Sequence, residues 1–329
     1  MRYVSGPVYM KNSDFTRRVV PLCAGLALLA GCALRQAQDD MPPAPARFNT
    51  TNAAAPRDGS WISPGLGVQD LLYVSDVGTG NVNVYSYPNG QLVGTLTGFQ
   101  RPQAMCVNKY GEVFVPDLQA FKIYAYRHGA KNPTAVLSDP GQDPDDCAVD
   151  PTTGALAVAN LSTPYSGAGD IVVYAHGKRT EFRDPQIRYY LFCGYDNQGN
   201  LYIDGMSSGS FKFAELPKGS ANFVDITLNK HFRFGGAVQW DGRSVAVGDY
   251  ESNAIYQFKI NGKTGTKVGE TRLNGSDYAI GFWIEGSRVI GPNDDSTSVM
   301  FWNYPAGGTR TKSISGLKTP WGAVVSLAK

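Results

Sequence analysis

The sequence predicts an all-β protein made of six copies of one four-stranded antiparallel sheet. Three observations carry that expectation: a composition rich in turn and strand formers, a long-period repeat, and a C-terminal segment that supplies what the first copy lacks. In 329 residues, 38 glycines and 20 prolines provide more chain reversals than a helical protein can hold, and aromatic residues reach 12%. Such a chain is neither a coiled coil nor wholly disordered, and its charged fraction of 18% leaves enough apolar sequence for a large core.

The clearest mark of the repeat is a short apolar run ending in Asp or Asn. It occurs as Leu71-Leu-Tyr-Val-Ser-Asp76, Val113-Phe-Val-Pro-Asp117, Leu156-Ala-Val-Ala-Asn160, Leu201-Tyr-Ile-Asp204, Ser244-Val-Ala-Val-Gly-Asp249 and Val289-Ile-Gly-Pro-Asn293. The terminal residues are 41, 43, 44, 45 and 44 positions apart. In phase with them, Gly111, Gly154, Gly199, Gly242 and Gly286 each mark a tight turn after another strand, such as Cys147-Ala-Val-Asp150. An alternating aromatic strand and a turn follow the Asp or Asn, as in Val84-Tyr-Ser-Tyr-Pro-Asn-Gly90 and Ile123-Tyr-Ala-Tyr-Arg-His-Gly129. A weaker fourth strand, such as Leu92-Val-Gly-Thr-Leu96, ends each copy. Four short strands per 40–50 residues is the pattern of a β-propeller blade, so the six copies predict a six-bladed β-propeller over residues 67–329. The first copy begins at its second strand, while Thr319-Pro-Trp-Gly-Ala-Val-Val-Ser-Leu327 has the form of a first strand. That final strand is expected to enter blade one and close the ring.

The unit Arg101-Pro-Gln-Ala-Met-Cys-Val-Asn-Lys-Tyr-Gly-Glu-Val-Phe-Val-Pro-Asp117 resembles the NHL repeat. The resemblance extends loosely over residues 70–329 and implies the same propeller fold. It leaves function open, since propellers of this type include protein-binding scaffolds, lactone hydrolases and lyases.

Residues 1–18 are polar and basic, and residues 19–31 are apolar and small, the pattern of a secretory leader. The 13-residue apolar run is too short to span a bilayer as a permanent helix. It ends Leu29-Ala30-Gly31-Cys32, which resembles the bacterial lipobox. The resemblance implies cleavage before Cys32, lipid attachment to its thiol, and an outer-membrane destination, because Ala33 follows where an inner-membrane retention signal often has Asp. Residues 1–31 then form the signal peptide, and residues 32–66, rich in Pro and Ala, a lipidated flexible tether. The leader holds four of the 30 basic and one of the 28 acidic residues, so the remainder carries a net charge of −1. That balance gives no electrostatic case for nucleic acid.

Candidate site residues fall into two groups. The Asp and Asn residues that end the second strands should crowd one face of the ring. They can be ligands for an oxygen-seeking cation, or caps for their own turns. If a divalent cation such as Ca²⁺ sits there, Asn160, Asp204, Asp249 and Asn293 are its ligands, and the chain is a lactone hydrolase of the gluconolactonase type. That branch has a Glu near the start of blade one, and Gly65-Leu-Gly-Val-Gln-Asp-Leu-Leu72 has none.

The second group breaks the repeat's symmetry: Asp145 and Asp146 entering blade three, Tyr165 in an enlarged turn, Tyr189 and Tyr190 entering blade four, Asp277 and Tyr278 entering blade six, and Trp321 in the closing strand. Together these side chains suit a protein, peptide or saccharide ligand. The reading favoured by sequence is therefore a monomeric, lipid-anchored binding module, non-enzymatic and without a cofactor. A metal-dependent hydrolase and a purely structural envelope module are the alternatives. His128 and His176 share one repeat position, and His231 is placed in a fourth strand. Cys106, Cys147 and Cys193 are expected as small buried residues without a bridge.

Overall fold

The structure, a computed structural model, describes residues 58–162, 167–276, 280–293 and 297–329. The predicted leader and most of the tether lie outside these residues. Six antiparallel sheets account for almost all regular structure among them. In blade 2 the order from the channel outward is Cys106–Val107, Val113–Asp117, Lys122–Tyr126 and Ala135–Ser138. Blade 3 repeats it with Pro144–Val149, Leu156–Asn160, Asp170–Ala175 and Lys178–Phe182, and blade 4 with Tyr189–Tyr195, Leu201–Ser207, Ser210–Leu216 and Val224–Asp225. Blade 5 has Gly235–Trp240, Val245–Asp249, Ala254–Asn261 and Thr264–Asn274, and blade 6 has Trp283–Glu285, Arg288–Asn293, Ser298–Asn303 and Lys312–Ser315.

Blade 1 closes the ring as expected. Its inner strand is Pro320–Ser326, paired antiparallel with Leu71–Asp76 in the register Leu71–Ser326 to Asp76–Pro320. Outside these lie Asn81–Ser86 and Leu92–Leu96. Residues 61 and 62, read from sequence as tether, instead form a short fifth strand, Trp61–Ile62, on Leu92–Leu96, and Leu66 is buried in the adjoining core.

Each blade is apolar on both faces because it lies between two others. All six residues of Leu71–Asp76 are buried, with Tyr73 packed toward blade 2 beside Tyr126, and Leu72 and Val74 toward blade 6 beside Phe301. Each large apolar side chain removed from water contributes about 1.5–3 kcal/mol. The five phased glycines adopt positive φ, between 56° and 91°, which a tight turn needs and other residues resist.

Around the axis the inner strands approach backbone to backbone. A Cβ on Gly194 would fall 2.2 Å from Val238 O, on Gly281 2.4 Å from Trp321 O, and on Gly322 2.6 Å from Ala104 Cα. Hydrogen bonds join the same strands: Ala104 N–H donates to Asp145 O (3.1 Å) and Ala237 N–H to Ile280 O (2.7 Å).

The cysteines differ from expectation. Cys106 and Cys147 form a disulfide across the inner strands of blades 2 and 3, with Cα atoms 5.5 Å apart, while Cys193 is a buried free thiol. The close approach of adjacent inner strands at the axis brings the two cysteines within bridging distance. His231 is also corrected: it is exposed in the connection between blades 4 and 5, outside any strand.

The bridge closes a loop with a sequence separation of 41 residues. A Cys106→Ala/Cys147→Ala double variant is expected to lose about 3–4 kcal/mol of stability in denaturant titration. Reductant should lower the wild-type midpoint similarly and leave the variant unmoved.

Candidate functional site

The turns between second and third strands share one face of the ring with the connections that enter each inner strand. On this loop-rich face the repeated Asp and Asn side chains hold backbone. Asp76 accepts hydrogen bonds from the amides of Lys318 (3.0 Å) and Thr319 (2.8 Å), and Asp117 from those of Gln100 (3.0 Å) and Arg101 (2.8 Å). Both thereby pin the connection entering the inner strand of their own blade. Asp204 instead accepts from Phe192 N–H (2.9 Å), within the inner strand Tyr189–Tyr195 itself.

The four candidate cation ligands are engaged separately. Asn160 Nδ2 donates to Asp170 Oδ1 (2.8 Å), and Asp249 accepts from Lys230 Nζ (2.8 Å) and from the Glu251 amide (3.1 Å). Asn293 Oδ1 accepts from Ser276 Oγ (3.0 Å). Among the described residues no three His, Cys, Asp or Glu side chains stand together as a metal site. Each of the four has a contact of its own, while Asn160 Oδ1 and Asp204 Oδ2 are buried without a hydrogen-bond partner.

The mouth of the channel on the loop-rich face is built differently. Pro102, Pro144 and Pro320 lie opposite Asp117, Asn160 and Asp76, the residues that end their own second strands. The residue after each proline is then set beside the axis: Gln103, Asp145 and Trp321. Gly322 approaches Ala104 and the Gln103 carbonyl, and Ala104 bonds Asp145 O, so the three residues are neighbours around blades 1 to 3. Gln103 is 1% exposed and Asp145 4%. Three donors here are buried without a hydrogen-bond partner: Arg101 Nε, Gln103 Nε2 and Trp321 Nε1.

Carboxyl groups lie next to these donors. Burial pushes the Asp145 carboxyl up to about 7, with the Arg101 guanidinium partly opposing the rise. Burial also drives Asp146 and Asp204 well above the ordinary carboxyl range, and each is further raised by a neighbouring aspartate. Asp146 Oδ2 accepts from Cys193 N–H (2.9 Å), while Asp204 Oδ2 is buried with no partner. With a value of about 7, the Asp145 carboxyl can change charge near neutral pH.

Of the residues expected on this face, Asp145 and Trp321 stand at the mouth. Asp146 instead lines a cavity of about 300 Å³ that enters the channel from the opposite face, beside Cys106, Tyr195, Trp240 and Trp283. Tyr189 is half-buried, with the Arg188 guanidinium 5.5 Å from its ring. Tyr190 is a correction: it is fully buried in the core, and its hydroxyl donates to Asp184 O at 3.2 Å. The strand alternation that half-exposes Tyr189 turns Tyr190 inward. Tyr165, Asp277 and Tyr278 lie outside the described residues. Sequence reading passed over Arg101 and Gln103. Gln103 was detectable, since it follows its proline as Asp145 and Trp321 follow theirs.

No family model matches the chain, and no curated protein matches it in sequence. Solved structures do share its fold. A chain of a nidogen/laminin complex superposes with a TM-score of 0.66 at 12% identity, over 79% of this chain and 99% of that one. A protein of unknown function from Bacteroides caccae superposes with a TM-score of 0.60 at 10% identity, over 78% and 99%. Streptogramin B lyase aligns at 0.49 and 11% identity, over 75% and 73%. At these identities the likeness establishes the propeller and leaves the activity open.

The raised Asp145 carboxyl links stability to pH. The folded state keeps its proton up to about pH 7, whereas the unfolded chain releases it near 3.8. Between those values the folded state binds the extra proton, so stability falls as pH rises through the window. Asp145→Asn should therefore match wild type at pH 4 and exceed it at pH 8, by an amount on the order of 4 kcal/mol, in paired denaturant titrations.

Proposed function

We propose that this chain is an exported, lipid-anchored envelope protein whose propeller binds a polar ligand at the channel mouth of its loop-rich face. The observation that carries the binding reading is the set of three unpartnered donors, Arg101 Nε, Gln103 Nε2 and Trp321 Nε1, beside the Asp145 carboxyl. A buried donor without a partner costs about 1–3 kcal/mol, and an arriving acceptor recovers that cost. Three donors on two adjoining blades call for a ligand with several acceptor oxygens, as in a saccharide or a peptide backbone. The indole of Trp321 adds an apolar surface for a sugar ring or side chain.

Anchoring rests on Leu29-Ala30-Gly31-Cys32 at the end of the apolar leader run. The Cys106–Cys147 bridge supports export, since disulfides persist in oxidising compartments. The likeness of fold to a chain of the nidogen/laminin complex agrees with a binding role for the scaffold.

Two measurements test these points. Gln103→Met keeps the volume and removes the unpartnered amide, so it should raise the stability of the ligand-free protein by about 1–2 kcal/mol. A fall would mean that the amide is needed by the fold and would remove the case for a ligand. In cells fed an alkyne fatty acid, the full chain should label and Cys32→Ser should not; an unlabelled wild type would overturn the anchor.

A further inference from the structure

Blade 4 departs from the other five at its outer edge. Its third strand, Ser210–Leu216, spans seven residues, but its fourth, Val224–Asp225, pairs with only Ala214 and Glu215. One further bond, Ile226 N–H to Phe213 O (2.9 Å), ends the ladder. The chain then leaves blade 4, and Thr227–Leu228 pairs in parallel with Thr264 and Gly265 on the outer strand of blade 5. A cleft of about 740 Å³ opens between the two segments on the loop-rich face.

Both walls of this cleft are strand edges. Phe213 directs its carbonyl outward to Ile226, and the alternation of an antiparallel strand directs the Phe211 amide and carbonyl the same way. No fourth strand pairs with them, because the ladder has already ended. On the other wall, the amides of Thr227 and Asn229 donate to Lys263 O and Gly265 O of blade 5. Alternation turns the Leu228 amide and carbonyl away from blade 5, toward the cleft. Between the walls, Phe211 is half-buried and stacks on Phe232 with ring centroids 4.7 Å apart. Lys230 and Arg233 are already paired with Asp249 and Glu251, and Lys212, Asp225 and His231 also line the cleft.

We infer that the cleft is a slot for an extended peptide segment, which adds a strand between Phe211 and Leu228. An extended backbone offers donors and acceptors along both of its edges, as the two walls require, and an apolar side chain on every second residue can cover Phe211 and Phe232. A cleft of about 740 Å³ has room for a short extended segment. The slot is separate from the channel mouth and does not depend on it.

The full chain is panned against a phage-displayed library of random octapeptides, and the selected peptides are titrated against variants. Peptides with apolar residues at alternate positions are expected, binding wild type and Gln103→Met equally. Phe211→Pro removes the outward amide but spares the ladder to the second strand, so it should weaken them by about tenfold or more. Peptide should also slow hydrogen exchange at the Phe211 and Leu228 amides of the wild-type protein, a readout independent of how the proline variant folds. Selection of no peptide would overturn the inference. So would unchanged exchange at both amides, equal binding to a folded Phe211→Pro, or loss of binding in Gln103→Met, which would place the peptide at the channel mouth.

Discussion

Inner strands that touch through their backbones are the constraint on which the rest of the molecule depends. Gly194, Gly281 and Gly322 each sit where a side chain would strike the next strand, and direct amide-to-carbonyl bonds join blade 2 to blade 3 and blade 5 to blade 6. This contact sets the width of the channel. It also brings Cys106 within reach of Cys147 and places Gln103, Asp145 and Trp321 beside one another. A side chain at any of those glycines would force two blades apart, and the effect would pass round a closed ring.

The loop-rich face shows how a repeat can hold both structure and recognition. The aspartates that end the second strands use their carboxylates on backbone amides, as Asp76 and Asp117 do, and so fix where each inner strand begins. With the strand start fixed, the next residue inward can vary from blade to blade. It is Trp in blade 1, Gln in blade 2 and Asp in blade 3, and these three form the polar side of the mouth. Asp204 combines both roles, with one oxygen on the Phe192 amide and the other buried without a partner.

Much of the fold was legible in the sequence because a propeller writes itself as period. The phased glycines, the Asp and Asn residues and the missing first strand together specified six blades and the closing strand. The site was less legible, for physical reasons. Tyr190 looks like a surface aromatic beside Tyr189, yet one step along a strand reverses its face. Gln103 looks like turn sequence until the axis contact places it beside Asp145 and Trp321. The Cys106–Cys147 bridge depends on how closely two blades approach, which no spacing along the chain reports. The cleft beside Phe211 arises because one strand leaves its own blade for the next, and a short apolar segment reads the same whichever sheet it joins.

Pairing between Leu71 and Ser326 links two ends of the propeller that are far apart in the chain. Blades 2 to 6 each draw their four strands from one local stretch of chain, so each can form from local contacts. Blade 1 cannot, because its inner strand, Pro320–Ser326, lies beyond all five other blades in the chain. Until that strand docks, the propeller is an open arc with blade 6 uncovered on one side and the second strand of blade 1 unpaired along one edge. The domain is therefore at its stickiest just before the ring closes, and the time spent in that state is set by how quickly this strand finds its distant edge.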